Sequence, residues 1–106
     1  MTNETVPKDI LDILSAANIA KASTMTYGAI TVEDTATQIL ATQAGRAGLL
    51  IVNNSGKTVY IGGAAVTTLT GIPVVAGGSY ENQDWVGALY GIVSSGTANV
   101  RVEEFY

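Results

Sequence analysis

The feature that most constrains the fold is an alternation that runs from residue 23 to the end of the chain. Short runs rich in Thr, Val, Ile and Tyr are separated by clusters of Gly, Asn and Ser. β-Branched and aromatic residues suit a pleated, half-buried surface, and Gly, Asn and Ser supply the backbone freedom that turns need. The pattern predicts strands near 24–33, 37–42, 46–53, 58–62, 64–69, 72–75, 79–83, 88–94 and 98–105. In the last of these Ala98, Val100 and Val102 alternate with Asn99, Arg101 and Glu103, so one face is dry and the other wet. Leu49-Leu50-Ile51-Val52 is apolar on both faces, as a central strand would be. Asn53-Asn54-Ser55-Gly56 and Ser94-Ser95-Gly96-Thr97 read as tight hairpins, and Ala76-Gly77-Gly78 as a further reversal. Many short strands with regular turn signals predict an all-β fold, an antiparallel β-sandwich or a jelly-roll-like barrel.

Residues 1–22 follow a different period. Lys8, Asp9, Asp12, Ser15 and Asn18 fall on one side of a 3.6-residue helix, and Val6, Ile10, Ile13, Leu14, Ala17 and Ala20 on the other. Leu11 and Ile19 interrupt the stripe. Pro7 suits a first helical turn, Asp9 and Asp12 suit the positive end of the helix dipole, and Lys21 suits its negative end. The expected organisation is a short N-terminal helix or arm over 1–22, followed by a β domain over 23–106. The apolar stripe of Ile10, Ile13, Leu14 and Ala17 has two uses: covering its own sandwich, or docking on another subunit. A helix outside a complete sandwich points to docking, which makes these residues candidates for partner or oligomer contact.

Composition then excludes several classes of chemistry. The 106 residues include no Cys and no His, so a disulfide framework, a thiolate zinc site and imidazole catalysis are excluded. Charged residues are 13% of the chain, about half of the roughly 25% usual in soluble domains. Hydrophobic residues are 47% and mean hydropathy is +0.30. So few charges suit a subunit that hides surface in an oligomer. The net charge is −4, the pI is about 4.4, and the basic residues Lys8, Lys21, Arg46, Lys57 and Arg101 are scattered. No phosphate-binding surface, and hence no nucleic-acid partner, is expected. No basic segment leads into an apolar run at the N-terminus, and Leu49–Val52 is too short to span a bilayer, so neither a secretory signal nor a membrane partner is expected.

Catalytic motifs are sparse. Gly56-Lys57-Thr58 imitates the end of a phosphate loop, but Ile51 stands where the earlier Gly belongs, and turn chemistry accounts for the triplet. The carboxylate pairs Glu33-Asp34, Glu81 with Asp84, and Glu103-Glu104 read as solvated turn and strand-end groups rather than an acid/base pair. Glu81, Asn82 and Asp84 cluster hard oxygen ligands without the regular spacing of a calcium loop. No catalytic, metal or cofactor residue is assigned. Trp85, beside Tyr80, could stack on a sugar ring, but a rim or interface aromatic is the preferred reading. Phe105 and Tyr106 are either a loose tail or an apolar contact for a neighbour. Trp85, Phe105 and Tyr106 therefore join the candidate contact residues.

Three stretches carry a resemblance. Asn53-Asn54-Ser55-Gly56-Lys57-Thr58-Val59-Tyr60-Ile61-Gly62-Gly63 resembles the central hairpin of a small β-sandwich module of tailed-bacteriophage virion proteins, of capsid-decoration or head-fibre type. Gly71-Ile72-Pro73-Val74-Val75-Ala76-Gly77-Gly78-Ser79 resembles its next loop, and Leu89 to Val102 its closing hairpin. The likeness spans about residues 46–104. It implies framework roles: Asn53, Gly56, Gly62, Gly71 and Gly77 holding turns, and Tyr60 and Pro73 packing. It also implies a non-enzymatic virion protein assembled in the host cytoplasm, expected foremost as a capsid decoration protein binding the major capsid protein or another virion protein. A homo-oligomer follows, with a trimer favoured because decoration proteins often occupy threefold positions. The alternatives are a carbohydrate-binding module for host adsorption and a tail or connector protein.

Overall fold

A computed structural model describes residues 22–106. The expected N-terminal helix, with Ile10, Ile13, Leu14 and Ala17, lies outside the described residues. Eight strands follow in order: β1 (Met25–Val32), β2 (Thr37–Leu40), β3 (Gly48–Asn53), β4 (Val59–Gly62), β5 (Ile72–Val74), β6 (Ser79–Asn82), β7 (Leu89–Ile92) and β8 (Ala98–Phe105).

Their pairing is that of one long ribbon folded back on itself. β1 pairs with β8, β2 with β7, β3 with β6 and β4 with β5, all antiparallel. Wrapping the ribbon sets β8 beside β3 and β7 beside β4. Two four-stranded sheets result, ordered β1-β8-β3-β6 and β2-β7-β4-β5. The expected all-β fold is thus an eight-stranded jelly roll, an architecture that viral capsid and lectin domains share.

The ribbon changes the meaning of the turns. Only β4 and β5 are both consecutive and paired; every other connection crosses from one sheet to the other. Asn53–Gly56 and Ser94–Thr97 were expected to close hairpins, and they are sheet crossings instead. Leu49 and Ile51 of β3 and Val59 and Ile61 of β4 are all buried, so the two strands put their apolar faces into the core from opposite sheets. Positive φ occurs at Gly77 (75°) and Gly96 (68°), both in connections that cross between the sheets, and not at Gly56.

The strand expected over 64–69 is absent. Thr67 Oγ1 accepts the Leu69 N–H (3.2 Å), Thr70 Oγ1 accepts the Thr67 N–H (3.1 Å), and the Thr67 carbonyl accepts the Gly71 N–H (2.9 Å). Threonine hydroxyls so placed offer the backbone a local alternative to a ladder. Val66, buried at 7% exposure, packs over Gly62 and Gly71 from this loop.

The core between the sheets is aliphatic. Val32, Ile39, Leu49, Ile51, Val59, Ile61, Leu89, Val93 and Val100 belong to one buried cluster, with Ile30 and Tyr80 packed against it. Each such side chain contributes about 1.5–3 kcal/mol relative to exposure. Asn53 is also fully buried, at the end of the sandwich where 33–36, 54–58, 75–78 and 93–97 turn. Its Nδ2 donates to the Lys57 (2.6 Å) and Val74 (2.9 Å) carbonyls, and its Oδ1 accepts from Ser55 Oγ (2.6 Å). Asn53 therefore holds the 54–58 turn from within, through Lys57 and Ser55, and also ties it across the core to Val74 of β5.

Candidate interaction surface

The opposite end of the sandwich gathers the loops 41–47, 63–71 and 83–88 with the chain's last residues. Arg46 organises it. Its side chain is 0% exposed, and its Nη2 lies 2.7 Å from Glu104 Oε2. Nε donates to Glu104 Oε2 (2.7 Å), Nη1 to the Trp85 (3.1 Å) and Gly87 (2.9 Å) carbonyls, and Nη2 to the Ala41 carbonyl (2.6 Å). The guanidinium's planar fork thus ties the β2–β3 loop, the β6–β7 loop and β8 together.

Trp85 sits on that clamp. Its N–H donates to Asn82 Oδ1 (2.8 Å), its Nε1–H to the Ala88 carbonyl (3.1 Å), and its ring lies across Gly87. The residue is 47% exposed. Phe105 is the last residue of β8, its carbonyl accepting the Ala47 N–H (2.7 Å). Tyr106 exchanges two backbone bonds with Thr24: N to Thr24 O at 2.9 Å and Thr24 N to Tyr106 O at 2.6 Å. The C-terminal residues therefore extend the ladder and are no loose tail.

Register defines the outer face of the first sheet. Tyr27, Glu103, Leu50 and Glu81 form one row across β1, β8, β3 and β6, and Ala29, Arg101, Val52 and Ser79 form the next. Between them lies a shallow depression of about 400 Å³, walled by Tyr27, Ala29, Leu50, Val52, Arg101 and Glu103. Tyr27 is 79% and Met25 53% exposed. The face mixes apolar side chains with the charges of Arg101, Glu103 and Glu81 along its rows.

The reactive groups are dispersed. Glu103 and Glu104 are neighbours on one strand and point to opposite faces, Glu104 inward onto Arg46, so they cannot act on one bond. Asn82 Oδ1 is occupied by the N–H groups of Asp84 and Trp85, both at 2.8 Å. Among the described residues no three acidic, His or Cys side chains gather as metal ligands. Lys57 Nζ donates to the Ser95 carbonyl (2.6 Å) and the Lys57 N–H to Ser55 Oγ (3.1 Å), so Gly56-Lys57-Thr58 forms no phosphate cradle. No described helix is long and apolar enough to cross a membrane.

The structure thus brings Trp85, Phe105 and Tyr106 to one end of the sandwich. Two features escaped the sequence pattern. Arg46 was one of five scattered basic residues, although its position at the head of an apolar run hinted at burial. The other is the edge of β1, whose sequence Met25-Thr26-Tyr27-Gly28-Ala29-Ile30-Thr31-Val32 contains no charge and no proline. No known protein family, curated protein or solved structure matches the chain significantly.

Proposed function

We propose that this chain is a non-enzymatic structural protein of a tailed-phage virion, and foremost a capsid decoration protein that binds the major capsid protein. The observation that carries the reading is how the described polar groups are used. The two buried polar side chains, Arg46 and Asn53, are spent on holding loops together, while Met25, Tyr27 and Trp85 stand exposed. Such a molecule is built to be stiff and to be touched. The jelly roll is compatible with this role by analogy only, because the same fold serves lectins and enzymes.

The N-terminal residues supply the partner-specific contact through Ile10, Ile13, Leu14 and Ala17, ahead of a domain that is complete in itself over 22–106. Purified protein mixed with capsids of the encoding phage that lack it should co-sediment in proportion to the capsid lattice. Ile13→Asp and a chain lacking residues 1–21 should remain folded and fail to bind. Absence of the wild-type chain from both capsids and tails would overturn the reading. The carbohydrate-binding alternative rests on the exposed Trp85, whose indole N–H is anchored on the Ala88 carbonyl. Strong binding on a glycan array, abolished by Trp85→Ala, would establish that alternative instead.

A further inference from the structure

The two sheets expose four edges, and three of them are blunted. β2 has four residues and an irregular register between Gln38 and Leu40. β5 has three residues and contains Pro73. β6 has four residues and carries Glu81. Short length, bulges, proline and charge are the usual protections against strand addition. β1 has none of them: it is eight residues long, uncharged and largely exposed. Among the described residues, nothing pairs with its outer side.

The outward groups of β1 follow from the ladder. Thr24 and Tyr106 exchange both backbone bonds. Exchanging pairs alternate with non-exchanging ones along an antiparallel ladder. The even-numbered residues of β1 therefore bond to β8, and the N–H and C=O groups of Met25, Tyr27, Ala29 and Thr31 point away from the sheet.

We propose that β1 pairs antiparallel with β1 of a second copy of this chain, about a twofold axis at Gly28, joining the two four-stranded sheets into one. Keeping the inward faces of both copies on the same side and letting the outward groups meet requires odd-numbered residues opposite odd-numbered ones. Among such registers, the one centred on Gly28 pairs all four outward residues of β1. With Gly28 opposite Gly28 of the second copy, Met25 lies opposite Thr31 and Tyr27 opposite Ala29, so every outward N–H and C=O of β1 finds a partner. No charge falls opposite a like charge, which such a pairing could not tolerate. The space beside Gly28 is open, with no atom within 4 Å of where its Cβ would stand. The contact is isologous and closes as a dimer. It departs from the trimer that the phage resemblance suggested and does not depend on the virion reading.

The chain has no cysteine, so a single introduced thiol reports the axis directly. Opposed residues of a non-exchanging pair lie about 4.5 Å apart at Cα, within disulfide reach. In the full chain, Gly28→Cys should cross-link to a covalent dimer under mild oxidation at low micromolar concentration. Thr31→Cys should stay at background, because its copy would lie roughly 20 Å away along the strand. Sedimentation should give wild-type protein twice the 10.9 kDa chain mass. Ala29→Pro, which removes an outward N–H and none toward β8, should give a folded monomer. A monomeric wild type, equal cross-linking of the two thiol variants, or a dimer that survives Ala29→Pro would each overturn the proposal.

Discussion

Replacing Arg46 by Ala tests whether the clamp at the Trp85 end holds the domain together. The side chains of Arg46 and Glu104 are 0% and 13% exposed. Truncation leaves the Glu104 carboxylate with only the Thr26 hydroxyl (3.2 Å) and strands the carbonyls of Ala41, Trp85 and Gly87. Breaking a buried ion pair from one side costs about 3–5 kcal/mol, and each buried acceptor left unpaired about 1–3 kcal/mol. The 83–88 loop lies at the surface, so water can take over its two carbonyls, and the ion-pair figure dominates. A loss of about 3–5 kcal/mol is large against a total stability of roughly 5–15 kcal/mol. At about 4–8 °C per kcal/mol for a domain of this size, the melting temperature should fall by roughly 12 °C or more. Urea unfolding with an unchanged slope is the assay. Arg46→Lys should lose less, since the charge remains but the fork does not. Glu104→Gln should recover part of the loss in the Arg46→Ala background, because the stranded charge is gone. Arg101→Ala, on the outer face, should stay within about 0.5 kcal/mol of wild type. A loss below about 1 kcal/mol for Arg46→Ala, typical of an exposed pair, would refute the reasoning.

Other substitutions probe the opposite end and the core. Asn53→Ala should cost about 2–3 kcal/mol in urea unfolding, since the Lys57 and Val74 carbonyls lose their donor. Asn53→Asp should cost more, because a carboxylate oxygen would then face those carbonyls. Gly91→Ala should destabilise by about 1–3 kcal/mol, because the added methyl would stand 2.8 Å from Ile39 Cδ1 and 3.3 Å from Val59 Cγ1. Chelator should leave the melting curve unchanged, because Asn82 Oδ1 already serves the N–H groups of Asp84 and Trp85. A marked drop would assign Glu81, Asn82 and Asp84 to a cation.

The strands were legible because burial imposes a period of two. β8 shows it directly: Ala98, Val100 and Val102 are buried and Arg101 is exposed. The topology was not legible for an equally physical reason. A turn such as Asn53–Gly56 uses the same residues whether the next strand lies beside the last or across the core. Local sequence therefore marks the reversal and leaves its partner open. Threonine misled at 64–69, where β-propensity and hydroxyl bonding to the backbone compete and the second prevailed. Trp85, Phe105 and Tyr106 were singled out separately as apolar residues in polar surroundings. Their meeting at one end depends on β8 lying beside both β1 and β3, which only the wrapped ribbon provides.

The scarcity of charge acquires a location in this fold. At the sequence level 13% charged residues argued for hidden surface without saying where. Arg46 and Glu104 are consumed inside the molecule, and Lys57 is tied to Ser95, so the charge left to guard the surface is smaller still. What remains is unevenly placed. Glu81 stands on the β6 edge and Glu33 and Asp34 follow β1, yet β1 itself carries none between Met25 and Val32. A uniformly depleted surface would indicate poor solubility and little else. An uncharged edge strand that is also the longest edge, while the shorter ones are bulged, proline-bearing or charged, has the form expected of a strand kept open for pairing. Scarcity of charge is accommodated by any assembly, whereas an open β1 edge requires that burial begin at Met25, Tyr27, Ala29 and Thr31.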